Sequence, residues 1–170
     1  TAHNKQVDLS QKEIDDGYTA LKKTVSADPA VAAGFSEKEF KKEILISDLT
    51  KVKLEIWFAS NKKLNPNPYK KLDLVESKIK VGVAISDLAE TYSEDAMSAQ
   101  IGGEMGDLSN KDLTSELYQA VAQIKDGEAY VIVTRFGIHV IQVHGRYNKG
   151  PNDSGRYNIR QIFIRAGDYP

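Results

Sequence analysis

The segment that most restricts the fold lies between residues 130 and 143. Tyr130-Val131-Ile132-Val133-Thr134 and Ile138-His139-Val140-Ile141-Gln142-Val143 are β-branched and aromatic runs on either side of a tight Arg135-Phe136-Gly137 connection. Runs of this composition favour strands, and so short a glycine-containing gap joins them as a β-hairpin. Strand alternation puts His139 on one face with Ile141 and Val143, and His144 on the other.

Helices surround this hairpin. Ser10 and Glu13 form a capping-box pattern, with Leu9 and Ile14 placed as a hydrophobic staple. Ile14, Tyr18, Leu21 and Val25 then recur at helical spacing. The same grammar returns with Ser36 and Glu39 as the box, Phe35 and Phe40 as the staple, and Ile44 and Leu45 leading toward Leu49. Asp28-Pro29 and Gly34 mark the connection, so residues 8–49 read as a helical lobe. Asn65-Pro66-Asn67-Pro68 opens a further helix with Leu72, Val75 and Ile79 on one side, ending before Gly82; a short helix follows over 84–92. Leu117, Val121 and Ile124 mark another, stopped by Lys125-Asp126-Gly127-Glu128.

Two other stretches alternate. Val52, Leu54, Ile56 and Phe58 predict a half-buried strand over 52–59, and Tyr157-Asn158-Ile159-Arg160-Gln161-Ile162-Phe163-Ile164 repeats the pattern after a linker over 147–156. The expected order, one strand, three helices and a hairpin, suggests an α+β fold with helices covering an antiparallel sheet. No distinct strand is expected between the glycine turn at Gly102-Gly103 and the next helix.

Composition removes several function classes. The chain has 170 residues and no cysteine, so disulfides, thiolate nucleophiles and cysteine-based metal sites are excluded. Only His3, His139 and His144 supply imidazole, and His3 sits in a polar terminus. Net charge is −1 and acidic residues interleave the lysines, leaving no basic field for nucleic acid. Metal-ligand spacings and phosphate-binding glycine loops are absent. No apolar window is long enough to span a bilayer, and no basic-then-apolar leader opens the chain.

Three pieces, in order, carry a resemblance: Tyr92-Ser93-Glu94-Asp95, then Gly102-Gly103-Glu104-Met105-Gly106, then Phe136-Gly137-Ile138-His139-Val140-Ile141. Together they resemble the parvulin family of peptidyl-prolyl isomerases over roughly residues 51–146. The resemblance implies a parvulin-like sheet with covering helices, preceded by a helical lobe. It implies Asp95, His139 and Thr134 as catalytic residues and Met105, Leu113, Leu117 and Phe136 as the apolar surface that receives proline. It implies no cofactor and no metal. The family's first-strand histidine aligns with Ile56, and in the later alternating stretch the same position holds Gln161. Lys62-Lys63 and Lys70-Lys71 flank the following loop without an arginine, so no bidentate phosphate clamp is expected.

The implied organisation is a helical lobe over 1–50, a parvulin-like domain over 51–146, and a linker plus the first strand of a truncated second module over 147–170. The alternative for that last strand is an edge strand added to the first sheet. The lobe-plus-module order looks like exported foldases of the SurA and PrsA type, which implies unfolded or proline-containing client polypeptides and a periplasmic or cell-envelope address. Two functions follow: an isomerase acting on Xaa-Pro bonds, or a module that binds client peptides without turnover.

Overall fold

The computed structural model describes residues 7–25, 27–109, 111–147 and 155–166. His3 and most of the expected linker, residues 148–154, lie outside them. The chain divides into two compact units with the boundary between Phe58 and Ala59.

The first unit is helical. Helix α1, Gln11–Thr24, starts at the Ser10–Glu13 capping box, with both reciprocal hydrogen bonds formed. A short helix α2, Pro29–Ala32, follows its Asp28 cap. Helix α3, Glu37–Phe40, starts at the Ser36–Glu39 box. One π-helical turn, Lys41–Leu45, carries α3 into helix α4, Ile46–Ser60. Ile14, Tyr18, Ala30, Phe40 and Leu45 form this unit's core, with the Tyr18 and Phe40 rings 5.9 Å apart.

The expected strand over 52–59 is therefore helix. Leu54, which strand alternation would bury, is exposed, whereas Leu45 and Ala59 are buried and Leu49, Val52 and Ile56 are half-buried. Those five recur at steps of three and four residues, the period of a helix face. The helix is already nucleated by the Ser36 box, and no breaker occurs before Asn61, so continuing it costs less than starting a strand.

The second unit is α+β. Helix α5, Pro66–Lys80, begins with proline in its first turn, and helix α6, Ile85–Tyr92, and the single turn α7, Ala96–Ala99, follow. Strand β1, Glu104–Leu108, comes directly after the double glycine, where the sequence promises none. Helix α8, Ser115–Gln123, precedes the hairpin of β2, Ala129–Thr134, and β3, Gly137–Tyr147. Strand β4, Arg156–Arg165, completes an antiparallel sheet of order β1-β4-β3-β2.

Residues 157–164 therefore do not open a second sheet, and β4 is not an edge strand. It lies between β1 and β3, pairing with β3 from Gly137↔Arg165 to Tyr147↔Arg156. Ile162 and Ile164 join Ile138 and Val140 in a core under α5 and α6. Tyr157 and Ile159 join Ile141, Val143, Ile132 and Val121 in a second core on the α8 side. A strand buried on both faces can carry an apolar run that a one-sided edge strand could not hide from water. Phe58 and Ala59 thus mark the unit boundary, and residues 156–165 belong to the sheet beside residues 104–147.

Candidate functional site

The site is assembled along one edge of β4. At its C-terminal half, where β1 no longer reaches, the Ser93-Glu94-Asp95 segment takes the place of a neighbouring strand. Glu94 N–H donates to the Phe163 carbonyl at 2.7 Å, and Ser93 Oγ accepts from Phe163 N–H at 3.1 Å. Glu94 Oε2 accepts from Arg165 N–H at 2.8 Å, and Lys71 pairs with the same carboxylate. Gly103 makes the next link: its carbonyl accepts from Gln161 N–H at 2.8 Å. Two of the three sequence pieces thus meet a strand from far along the chain.

Asp95 is thereby held opposite the side chain of Gln161, whose Nε2 donates to Asp95 Oδ2 at 3.0 Å. Ser98 Oγ donates to the same oxygen at 2.5 Å. Gln161 Oε1 lies 3.1 Å from His139 Nδ1, and His139 Nε2 lies 3.0 Å from Thr134 Oγ1. Phe136 N–H closes the series on Thr134 Oγ1 at 3.2 Å. Thr134, His139 and Gln161 are buried, and the Phe163 ring covers the imidazole with centroids 5.0 Å apart.

Above this series is an open cleft of about 480 Å³ lined by Asp95, Met97, Phe136, His139, Gln161 and Phe163 among others. Met97 and Phe136, both exposed, give this cleft an apolar surface beside the Asp95 carboxylate. Among the described residues no cluster of histidine, aspartate and glutamate is arranged to hold a metal ion. The groups present can bind an apolar ring and place an anion and hydrogen bonds beside it; the Thr134 hydroxyl that pairs with His139 is buried and does not line the cleft.

Of the residues expected from sequence, Asp95, Thr134 and His139 are brought together, and Phe136 lines the same cleft. Met105, Leu113 and Leu117 are half-buried against the Val121, Ile141 and Ile159 core; they share the sheet face of His139 but do not line the cleft. Ile56 is not the partner of His139; it belongs to α4, and Gln161 occupies that place. Ser98, Met97 and Phe163 went unrecognised. A polar residue centred in an apolar alternating stretch was the available signal for Gln161. His144 lies on the opposite side of the strand, 3.0 Å from Glu104.

Hydrogen bonding shifts Asp95, and burial shifts His139. Ser98, and secondarily Gln161, hold the Asp95 carboxyl below its ordinary 3.8 against the opposing effect of partial burial. Burial pushes the His139 imidazole below its ordinary 6.5, outweighing Gln161 and Asp95, which favour the charged form. The unfolded chain therefore binds a proton at His139 more readily than the folded one. The stability held by neutral His139 is complete above about 6.5 and declines as pH falls from there toward the lower folded value. Asp95 acts lower, its contribution being lost as pH falls from 3.8 toward its depressed folded value. We expect the melting temperature to fall between pH 7 and pH 5, and a His139→Gln chain to show a shallower fall. Identical slopes would refute this.

The PPIC-type PPIASE domain family matches this chain over residues 35–147. Over 98 residues the chain is 35% identical to chaperone SurA from Cupriavidus metallidurans, covering 54% of this chain and 20% of that one. Over 151 residues it is 26% identical to foldase protein PrsA 4 from Bacillus cereus, covering 88% of this chain and 50% of that one. Among solved structures, peptidylprolyl isomerase PrsA from Bacillus anthracis is similar with a TM-score of 0.36 and 17% identity, covering 98% of this chain and 76% of that one. The chain thus spans between a fifth and a half of the length of these two curated relatives.

Proposed function

This chain belongs to the PPIC-type PPIASE domain family, and from that premise we propose that its second unit catalyses cis–trans isomerisation of Xaa-Pro bonds in client polypeptides. The reaction breaks no bond and needs no cofactor. Its barrier is about 20 kcal/mol, arising from amide conjugation, and unaided turnover takes roughly 10–100 s. A catalyst must bind the twisted amide better than the planar one. Conjugation puts negative charge on the carbonyl oxygen, so a carboxylate beside it raises the planar state relative to the twisted one.

The observation that carries this reading is the hydrogen-bonded series from Asp95 through Gln161 and His139 to Thr134, opening on a cleft with exposed Phe136. In it Asp95 is the anion, His139 and Thr134 support it through hydrogen bonds, and Phe136 offers an apolar wall. Met105, Leu113 and Leu117 supply the adjoining apolar surface for the proline ring. The clients we assign are unfolded or proline-containing polypeptides outside the cytoplasm, in keeping with the resemblance to exported foldases.

Isomerisation of a proline tetrapeptide followed optically tests the reading. Asp95→Ala and His139→Ala are each expected to lower kcat/KM by about tenfold or more, the equivalent of about 1.4 kcal/mol or more. A wild-type chain that leaves the uncatalysed rate unchanged would overturn it. One observation favours a second reading, binding without turnover: Gln161 stands where the family's first-strand histidine is expected. In that case client peptides would shift NMR signals of Met97 and Phe136 without accelerating isomerisation.

A further inference from the structure

The direction of the hydrogen bonds that run from Gln161 to Thr134 is set by Asp95. At one end is Asp95, whose carboxylate can only accept, and Gln161 turns its amide Nε2 toward it at 3.0 Å. That orientation leaves Gln161 Oε1, an obligate acceptor, facing His139 Nδ1 at 3.1 Å, so Nδ1 must carry the proton. A neutral imidazole protonated at Nδ1 presents a lone pair at Nε2, which requires Thr134 Oγ1 to donate across 3.0 Å. At the other end is the Phe136 backbone N–H, an obligate donor, directed at Thr134 Oγ1 over 3.2 Å. A hydroxyl accepting there keeps its own proton free to donate to His139 Nε2, which agrees with the direction reached from Asp95.

We infer that Gln161 is a positioning residue that transmits the Asp95 charge to His139 and locks the imidazole in its Nδ1–H tautomer, and that the working site therefore requires β4, which lies outside the family-matched residues 35–147. A histidine at this position could reverse its donor and acceptor roles by moving one proton. Glutamine reverses only by turning its amide through a half-circle, which would aim Oε1 at a carboxylate. The lock is therefore a property of this chain. Its backbone holds it as firmly: Gln161 N–H is bonded to the Gly103 carbonyl at 2.8 Å, and the residue is 7% exposed. The inference rests on the isomerase reading only for its catalytic consequence.

The test is nitrogen-15 NMR of the imidazoles in the full chain, with His139 assigned through His139→Gln, alongside isomerisation kinetics. In the wild type His139 is expected to show a protonated Nδ1 and an unprotonated Nε2 throughout neutral pH. Gln161→Met keeps the shape without the amide, and is expected to give mixed tautomers and to lower kcat by about tenfold with little change in KM. Gln161→His restores a group that donates and accepts at once, and is expected to recover most of kcat. Should Gln161→Met fail to fold, Asp95→Asn decides, because it keeps Gln161 and removes the charge; mixed tautomers are again expected. A single Nδ1–H tautomer in both variants, or in whichever of them folds, overturns the inference. So does a wild-type His139 protonated at Nε2. A wild type without isomerase activity but with the locked tautomer would overturn the proposed reaction and leave the lock standing.

Discussion

A chain ending at Tyr147 is expected to lose the folded state of its second unit. Ile159, Ile162 and Ile164 of β4 are each no more than 1% exposed. Burying three such side chains contributes about 5–9 kcal/mol, comparable to the whole stability of a typical domain, roughly 5–15 kcal/mol. Backbone groups of β3, β1 and Gly103 would lose their partners as well. Inner strands cannot be removed from a sheet as edge strands sometimes can. Dispersion of the Ile138, Val140 and Ile141 methyl signals in NMR spectra should collapse in the shortened chain. Within the full chain, Ile162→Ala should cost about 2–5 kcal/mol in denaturant unfolding. A shortened chain with native methyl dispersion would show that β4 is an accessory strand.

Gly103→Ala is expected to be, with Gly137→Ala, among the most damaging single-methyl additions in the second unit. Gly103 has φ +76, and a Cβ there would lie 2.4 Å from the Gln161 carbonyl oxygen and 2.9 Å from the Ala89 Cβ. Left-handed backbone at a non-glycine residue costs about 1–3 kcal/mol, and overpacking against backbone adds roughly 1–3 kcal/mol. Relief requires β4 to move away from the turn, which also draws Gln161 away from Asp95. Gly127→Ala supplies the control. Its φ is +82, but nothing lies within 4 Å of the added carbon, so only the conformational cost remains. Denaturant midpoints of the two variants should differ by the equivalent of a few kcal/mol, with isomerase activity lost only in Gly103→Ala. Equal midpoints would mean that the close approach to β4 relaxes freely.

The capping boxes at Ser10 and Ser36, the Pro66 start of α5 and the β2–β3 hairpin were legible because each is written within a few neighbouring residues. The strand expected over 52–59 was not. Alternation and helical spacing coexist in Val52-Lys53-Leu54-Glu55-Ile56, and a local pattern cannot choose between them. What decides is that the preceding helix is already running and that β4 supplies the sheet with its inner strand. β1 was missed for the converse reason: Glu104-Met105-Gly106-Asp107-Leu108 has weak strand character, and its extended shape comes from pairing with β4.

The sequence by itself determined that this chain has a helical lobe, an α+β unit, a hairpin bearing Thr134 and His139, and an acidic turn at Asp95. Those follow from local periodicity, caps and turn residues, which act over a few positions. Only the tertiary structure decided which strand lies beside His139, that Gln161 bridges it to Asp95, and why the second glycine of the pair at 102 and 103 is needed. Those depend on contacts such as His139–Gln161 and Asp95–Gln161, 22 and 66 positions apart, where sheet register rather than local preference chooses the partner.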